Sequence, residues 1–101
     1  MSYGLISEEY NFLLNLLINP LKQFGAQLFI FGSRATGKYQ KFSDIDILYI
    51  PNIKSPITGH FIFNLISEME ESRFPYKVDL VNYNELASSY KVQVDKEKIE
   101  L

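Results

Sequence analysis

Apolar side chains recur first at Tyr10, Leu13, Leu14, Leu17 and Leu21, a spacing that returns to one face of a helix. Ser7 precedes this run as an N-cap candidate, and Glu8 and Glu9 fall in the first turn, where acids suit the helix dipole. Pro20 disturbs the helix or starts a short second one, and Gly25 ends it. Residues 1–6 read as a loose arm. The period then shortens. Gln27 to Phe31 (QLFIF) is a compact apolar run of strand type. Residues 32–42 hold two glycines among polar side chains and suit a loop with a short helical turn.

A second strand is predicted over Asp44 to Ile50, closed by Pro51-Asn52, with a loop over residues 52–57. A helix from about Thr58 to Ser72 carries the stripe Ile62, Leu65, Ile66 and Met69, with Glu68, Glu70 and Glu71 toward water. Pro75 breaks it, and Tyr76 to Val81 (YKVDLV) reads as a third strand. Asn84 is a candidate cap for a further helix from Glu85 to about Lys96. The closing KIEL is either a short edge strand or a frayed end. The expected order is α-β-α-β-α-β-α: an α/β (α+β) chain, residues 1–101 forming one domain with a small mixed sheet flanked by helices.

Composition sharpens this picture in a few places. Apolar residues make up 47% of the 101 residues and aromatics 15%, enough to build a core. The net charge of −2 gives no basic surface for nucleic acid, so no direct nucleic-acid binding is expected. There is no cysteine, which excludes disulfide scaffolds and Cys-based zinc sites and suits a reducing cytoplasm. The N-terminus MSYGLISEEY lacks the pattern of a signal peptide, and no apolar run approaches a membrane span.

The unusual chemistry lies in FGSRATGKYQKFSDIDILY, Phe31 to Tyr49. Residues two apart in a strand share a face, so Asp44 and Asp46 would project together while Ile45 and Ile47 enter the core. Two carboxylates side by side in a half-buried place repel unless a cation holds both. Hard oxygen donors at that spacing suit Mg²⁺ or Mn²⁺. Asp79, between Val78 and Leu80, would join them if its strand lies beside the second; taken singly, it could instead pair with Lys77. Gly32-Ser33 closes the first strand just ahead of a helical turn, where glycine admits a close ligand and N–H groups favour phosphate, with Arg34 and Lys38 adding charge. His60, the sole histidine, suits a surface or capping role. Phe61, Phe63, Tyr83 and Tyr90 are either core or partner surface.

Gly-Ser, ten residues, Asp-x-Asp, and later KVDLV resemble the signature of the DNA polymerase β-like nucleotidyltransferases, in particular the minimal nucleotidyltransferases of bacteria and archaea. The similarity runs from about Leu28 to Val81. The resemblance implies that Gly32 and Ser33 hold nucleotide phosphates, with Arg34 touching phosphate. It implies that Asp44, Asp46 and Asp79 ligate metal, Asp79 also serving as base for the acceptor hydroxyl. Thr36 departs from the pattern, since many relatives carry a second Arg there. The cofactor implied is Mg²⁺ or Mn²⁺, with ATP as substrate.

A transferase needs an acceptor, and little chain remains after the three strands to wall one in. Minimal nucleotidyltransferases are family partners of small helical HEPN-type proteins, where they act as antitoxins that add AMP to a tyrosine of the toxin. The resemblance therefore implies a cytoplasmic protein adenylyltransferase (AMPylation) in a toxin–antitoxin pair. Two other readings are the catalytic subunit of a two-chain enzyme acting on a small molecule such as an antibiotic, and a non-catalytic module that covers its partner. A homodimer or hetero-oligomer suits so small and apolar a chain.

Overall fold

The computed structural model describes residues 3–101; Met1 and Ser2, the start of the expected loose arm, lie outside the described residues. The arm is not loose over the rest. Leu5 is fully buried in the main core, anchoring the segment ahead of the first helix. Helix α1 (Ser7–Leu13) begins one residue earlier than expected, with Ile6 at the N-cap. Glu9 Oε1 accepts from the Ile6 N–H at 3.0 Å, the return half of a capping box, and the Tyr10 N–H goes to the Ile6 carbonyl at 3.0 Å.

Pro20 does not break the chain's path. It has no N–H to give back to the preceding turn, and residues Leu14–Ile18 widen into a π turn in which the Asn19 N–H reaches the Leu14 carbonyl. Helix α2 (Asn19–Lys22) continues from it. The extra residue in that turn lets Leu17 and Ile18 both point into the core, between Leu13 and Leu21.

Strand β1 (Gln27–Phe31) leads into the single turn α3 (Ser33–Thr36), then a polar loop, then β2 (Ile45–Ile50). Helix α4 (Gly59–Glu71) is capped by Thr58, whose Oγ1 accepts from the Phe61 N–H at 3.1 Å, and it buries Leu65 and Met69. It carries the chain across to β3 (Val78–Asn82), which therefore runs parallel to β2. Asn84 does not cap a long helix. The Asn82 side chain accepts from the Asn84 N–H at 2.9 Å and folds Tyr83–Glu85 into a 3₁₀ turn. Helix α5 (Ser88–Glu97) starts later and delivers β4 (Ile99–Glu100), the edge-strand alternative for KIEL, antiparallel to β1.

The sheet order is β3-β2-β1-β4. Alternation divides its side chains cleanly. Leu28, Ile30, Ile45, Ile47 and Tyr49 face the main core with the helical leucines. Phe29 and Leu48 face the other way and pack with Val94 of α5. This second, thinner core determines which groups surround the carboxylates.

Candidate active site

The site grows from the end of β1. Gly32 has φ 75° and ψ −157°, a conformation open essentially to glycine alone. A Cβ there would collide with Oδ2 of Asp46. The Gly32 carbonyl accepts from the N–H groups of Ala35 and Thr36, both at 3.1 Å, which winds α3 directly after the strand. Gly37, at φ 82°, ends the turn in the left-handed region. Thr36 Oγ1 lies 3.3 Å from the carbonyls of both Gly32 and Ser33, so the position that lacks the second Arg instead ties the turn to itself.

Asp46 and Asp79 are brought together. They are direct partners across the parallel pair β2–β3, while Phe31 is the partner of Asp46 on β1. Asp44 lies one residue ahead of β2 rather than within it, and is exposed. The Ile45 N–H is taken by the Lys77 carbonyl at 2.9 Å, so regular pairing begins there. β3 likewise starts at Val78, leaving Tyr76 and Lys77 outside the strand. Lys77 Nζ is 3.7 Å from Asp79 Oδ1, a pair exposed enough to contribute little on its own.

Burial pushes the Asp46 carboxyl up to about 6, with the negative charges of Asp79, Asp44 and Glu97 acting in the same direction and Lys77 opposing them. The sign of the consequence follows from proton linkage. The folded chain holds a proton on Asp46 that the unfolded chain releases, so this group makes stability fall as pH rises from about 4 to about 6. Asp46→Asn removes the penalty. Its thermal midpoint is expected to exceed wild type at about pH 7 and to match it at about pH 4, read by thermal melts at both values.

Arg34 is not turned toward the carboxylates. It is buried; its Nε donates to the Ser43 carbonyl at 3.0 Å and its Nη1 to the Tyr3 carbonyl at 2.8 Å. Its guanidinium lies 4.4 Å from the centre of the Tyr76 ring and 5.2 Å from that of Tyr39. In this arrangement it pins the N-terminal segment, the loop before β2 and the approach to β3, with Nη2 left without a partner among the described residues. Arg34→Ala is expected to cost about 2–4 kcal/mol by stranding two part-buried carbonyls, removing the stacked cation and leaving a cavity, seen as a lower urea midpoint. Arg34→Lys should recover little, because an ammonium lacks the planar fork. Ser33 is half-buried at the start of α3, and Lys38 is exposed.

Two contributors escaped the sequence reading. Lys77, the ion-pair partner of Asp79, also moderates Asp46. Glu97 sends Oε1 to the Gly32 N–H at 2.9 Å although it lies far along the chain. No local motif marks it. His60 and Phe63 are exposed, as is Tyr90, while Phe61 packs against the main core. Tyr83 is half-buried at the second core, its hydroxyl donating to Asp95.

A hard divalent cation fits this site in the kind and charge of its donors: all are carboxylate oxygens, and burial and the neighbouring acids already oppose the charge on Asp46. The side chains are not gathered into a cage, since among the described residues no group of three or more His, Cys, Asp or Glu is placed to hold an ion. Nor is any helix among the described residues long and apolar enough to cross a membrane.

A mixed sheet flanked by helices, with a Gly-Ser turn beside paired strand aspartates, defines the nucleotidyltransferase fold. Residues 21–101 match the family model described as polymerase beta, nucleotidyltransferase. The chain belongs to that family. Among solved structures it is similar to a minimal nucleotidyltransferase at 25% identity and TM-score 0.72, covering 100% of this chain and 97% of that one. It is also similar to a chain of a toxin–antitoxin complex with AMP-PNP, at 22% identity and TM-score 0.65, covering 85% of this chain and 69% of that one. A third likeness is to a complex of tri-AMPylated Shewanella oneidensis HEPN toxin with MNT antitoxin, at 20% identity and TM-score 0.61, covering 91% and 67%. No curated protein matches the chain.

Proposed function

We propose that this protein transfers AMP from ATP to a tyrosine hydroxyl of a small helical HEPN-type partner, and so acts as the antitoxin of a toxin–antitoxin pair. The observation that carries the reading is the direct pairing of Asp46 with Asp79 beside the Gly32 turn. Similar chains occur in complexes that hold AMP-PNP or a tri-AMPylated HEPN toxin, which favours this acceptor over a small molecule.

In this reading Asp44, Asp46 and Asp79 would hold Mg²⁺ or Mn²⁺, and the Gly32-Ser33 turn would receive the phosphates. A divalent cation, when bound, supplies charge neutralisation of the triphosphate and a lower pKa for the attacking hydroxyl. Asp79 takes the tyrosine proton. The phenolate oxygen forms a bond to the α-phosphorus, the bond from that phosphorus to the β-bridging oxygen breaks, and pyrophosphate leaves. The exposed apolar side chains Phe63, Tyr90 and Val92 offer surface to a protein partner.

The test is incubation with ATP, Mg²⁺ and the HEPN partner, followed by intact-mass and peptide analysis. An AMP-sized gain on a partner tyrosine is the expected result. Neutralisation of the toxin without any mass gain, and without nucleotide, would instead establish a covering module.

A further inference from the structure

The contact between the end of α5 and the Gly32 turn has no role in the chemistry above. Glu97 Oε1 accepts from the Gly32 N–H at 2.9 Å, and Oε2 accepts from Gln93 Nε2 at 3.2 Å, one turn earlier on the same helix. Both oxygens are therefore engaged, and by neutral donors. The neighbouring cation, Lys98, is held elsewhere, with Nζ 2.7 Å from Asp95 Oδ1 and 5.4 Å from the centre of the Phe29 ring. Among the described residues Glu97 makes no ion pair. It adds a carboxylate to a site already holding Asp46 and Asp79, where one more negative charge is unfavourable. The position is nonetheless well anchored. Val94, on the same helix, is buried against Phe29 and Leu48, and β4 pairs with β1 immediately after Glu97.

We propose that Glu97 is an internal stand-in for a phosphate oxygen: it occupies the Gly32 amide in the free protein and must leave when a triphosphate binds. This rests on the nucleotide reading of the Gly32 turn. A carboxylate and a phosphate oxygen compete for the same N–H donor, and they repel each other at short range. Glu97 thus weakens binding of the nucleotide and keeps the amide satisfied without it.

The experiment uses the full 101-residue chain and its Glu97→Ala and Glu97→Gln variants. Calorimetry would measure binding of ATP with Mg²⁺ and of tripolyphosphate alone, and ¹H–¹⁵N spectra would follow the Gly32 amide. Glu97→Ala should bind both ligands about five- to tenfold more tightly, and Glu97→Gln, which keeps an acceptor but loses the charge, should fall between. The Gly32 amide proton should move upfield in Glu97→Ala and change environment in wild type when ATP is added. Should Glu97→Ala not fold, the neutral and isosteric Glu97→Gln decides by its affinity alone. Wild-type binding with unchanged affinity in the variants overturns the stand-in role and leaves the nucleotide reading intact. Weaker binding in the variants overturns it too, and makes Glu97 a supporting group of the site. Failure of wild type and variants alike to bind either ligand overturns the nucleotide reading, and this proposal with it.

Discussion

The double variant Asp44→Asn/Asp46→Asn is expected to lower AMP transfer by about a thousandfold, in kcat more than in KM, while leaving the sheet folded. Asp46 projects beside Asp79 on the thinly covered face, so asparagine keeps the volume and the neighbours but loses the charge that a metal requires. Folding should not suffer, because the wild-type carboxylate is itself unfavourable there: burial and three nearby acids raise it to about 6. Loss of activity with an equal or higher thermal midpoint at neutral pH is a combination that a purely structural role for Asp46 would not produce. Transfer measured by mass spectrometry together with thermal melts would check it, and transfer that survives in the double variant would sink the mechanism. Asp44 is the lesser half of the pair. It is exposed and lies just outside β2, so Asp44→Asn alone should cost less than Asp46→Asn alone.

Gly32→Ala is expected to destabilise the protein by about 1–3 kcal/mol and to reduce transfer by about a hundredfold. The backbone at φ 75° and ψ −157° is strained for any L side chain, and the added methyl would occupy the place of Asp46 Oδ2. Asp46 must then swing away from Asp79, which loosens the pairing that the chemistry uses. Gly59→Ala is the matching control. Gly59 opens α4, its added Cβ would meet nothing within 4 Å, and the change should leave both stability and transfer near wild type. Urea titrations of the two variants, with transfer assayed in parallel, would separate backbone strain from displacement of Asp46.

Much of the candidate site's placement was legible in the sequence because its signals are local. Glycine followed by serine at the end of an apolar run, and aspartates alternating with isoleucines, are patterns that backbone geometry converts directly into positions. Asp46 and Asp79 therefore fall where alternation puts them. The errors have equally local causes. Ser7 and Asn84 have the composition of helix caps, but a glutamate three residues past Ile6 and an asparagine two residues before Asn84 supply the hydrogen bonds instead. Arg34 carries the charge a phosphate wants, and only the packed structure reveals that its Nε and Nη1 are given to the carbonyls of Ser43 and Tyr3, while Nη2 is buried with no partner among the described residues.

By itself, then, the sequence determined the nucleotidyltransferase family, the mixed sheet and the strand faces of Asp46 and Asp79, because strand alternation and glycine conformation depend on neighbours in the chain. Tertiary structure alone decided that the order is β3-β2-β1-β4, that Asp46 stands against Asp79, and that Arg34 is an internal pin. It also decided that Glu97, at the far end of α5, comes to rest on the Gly32 amide. The last contact joins residues 65 apart in the chain, and it forms only when burial of Phe29, Leu48 and Val94 draws α5 across the sheet and carries a carboxylate into a site that local patterning does not reach.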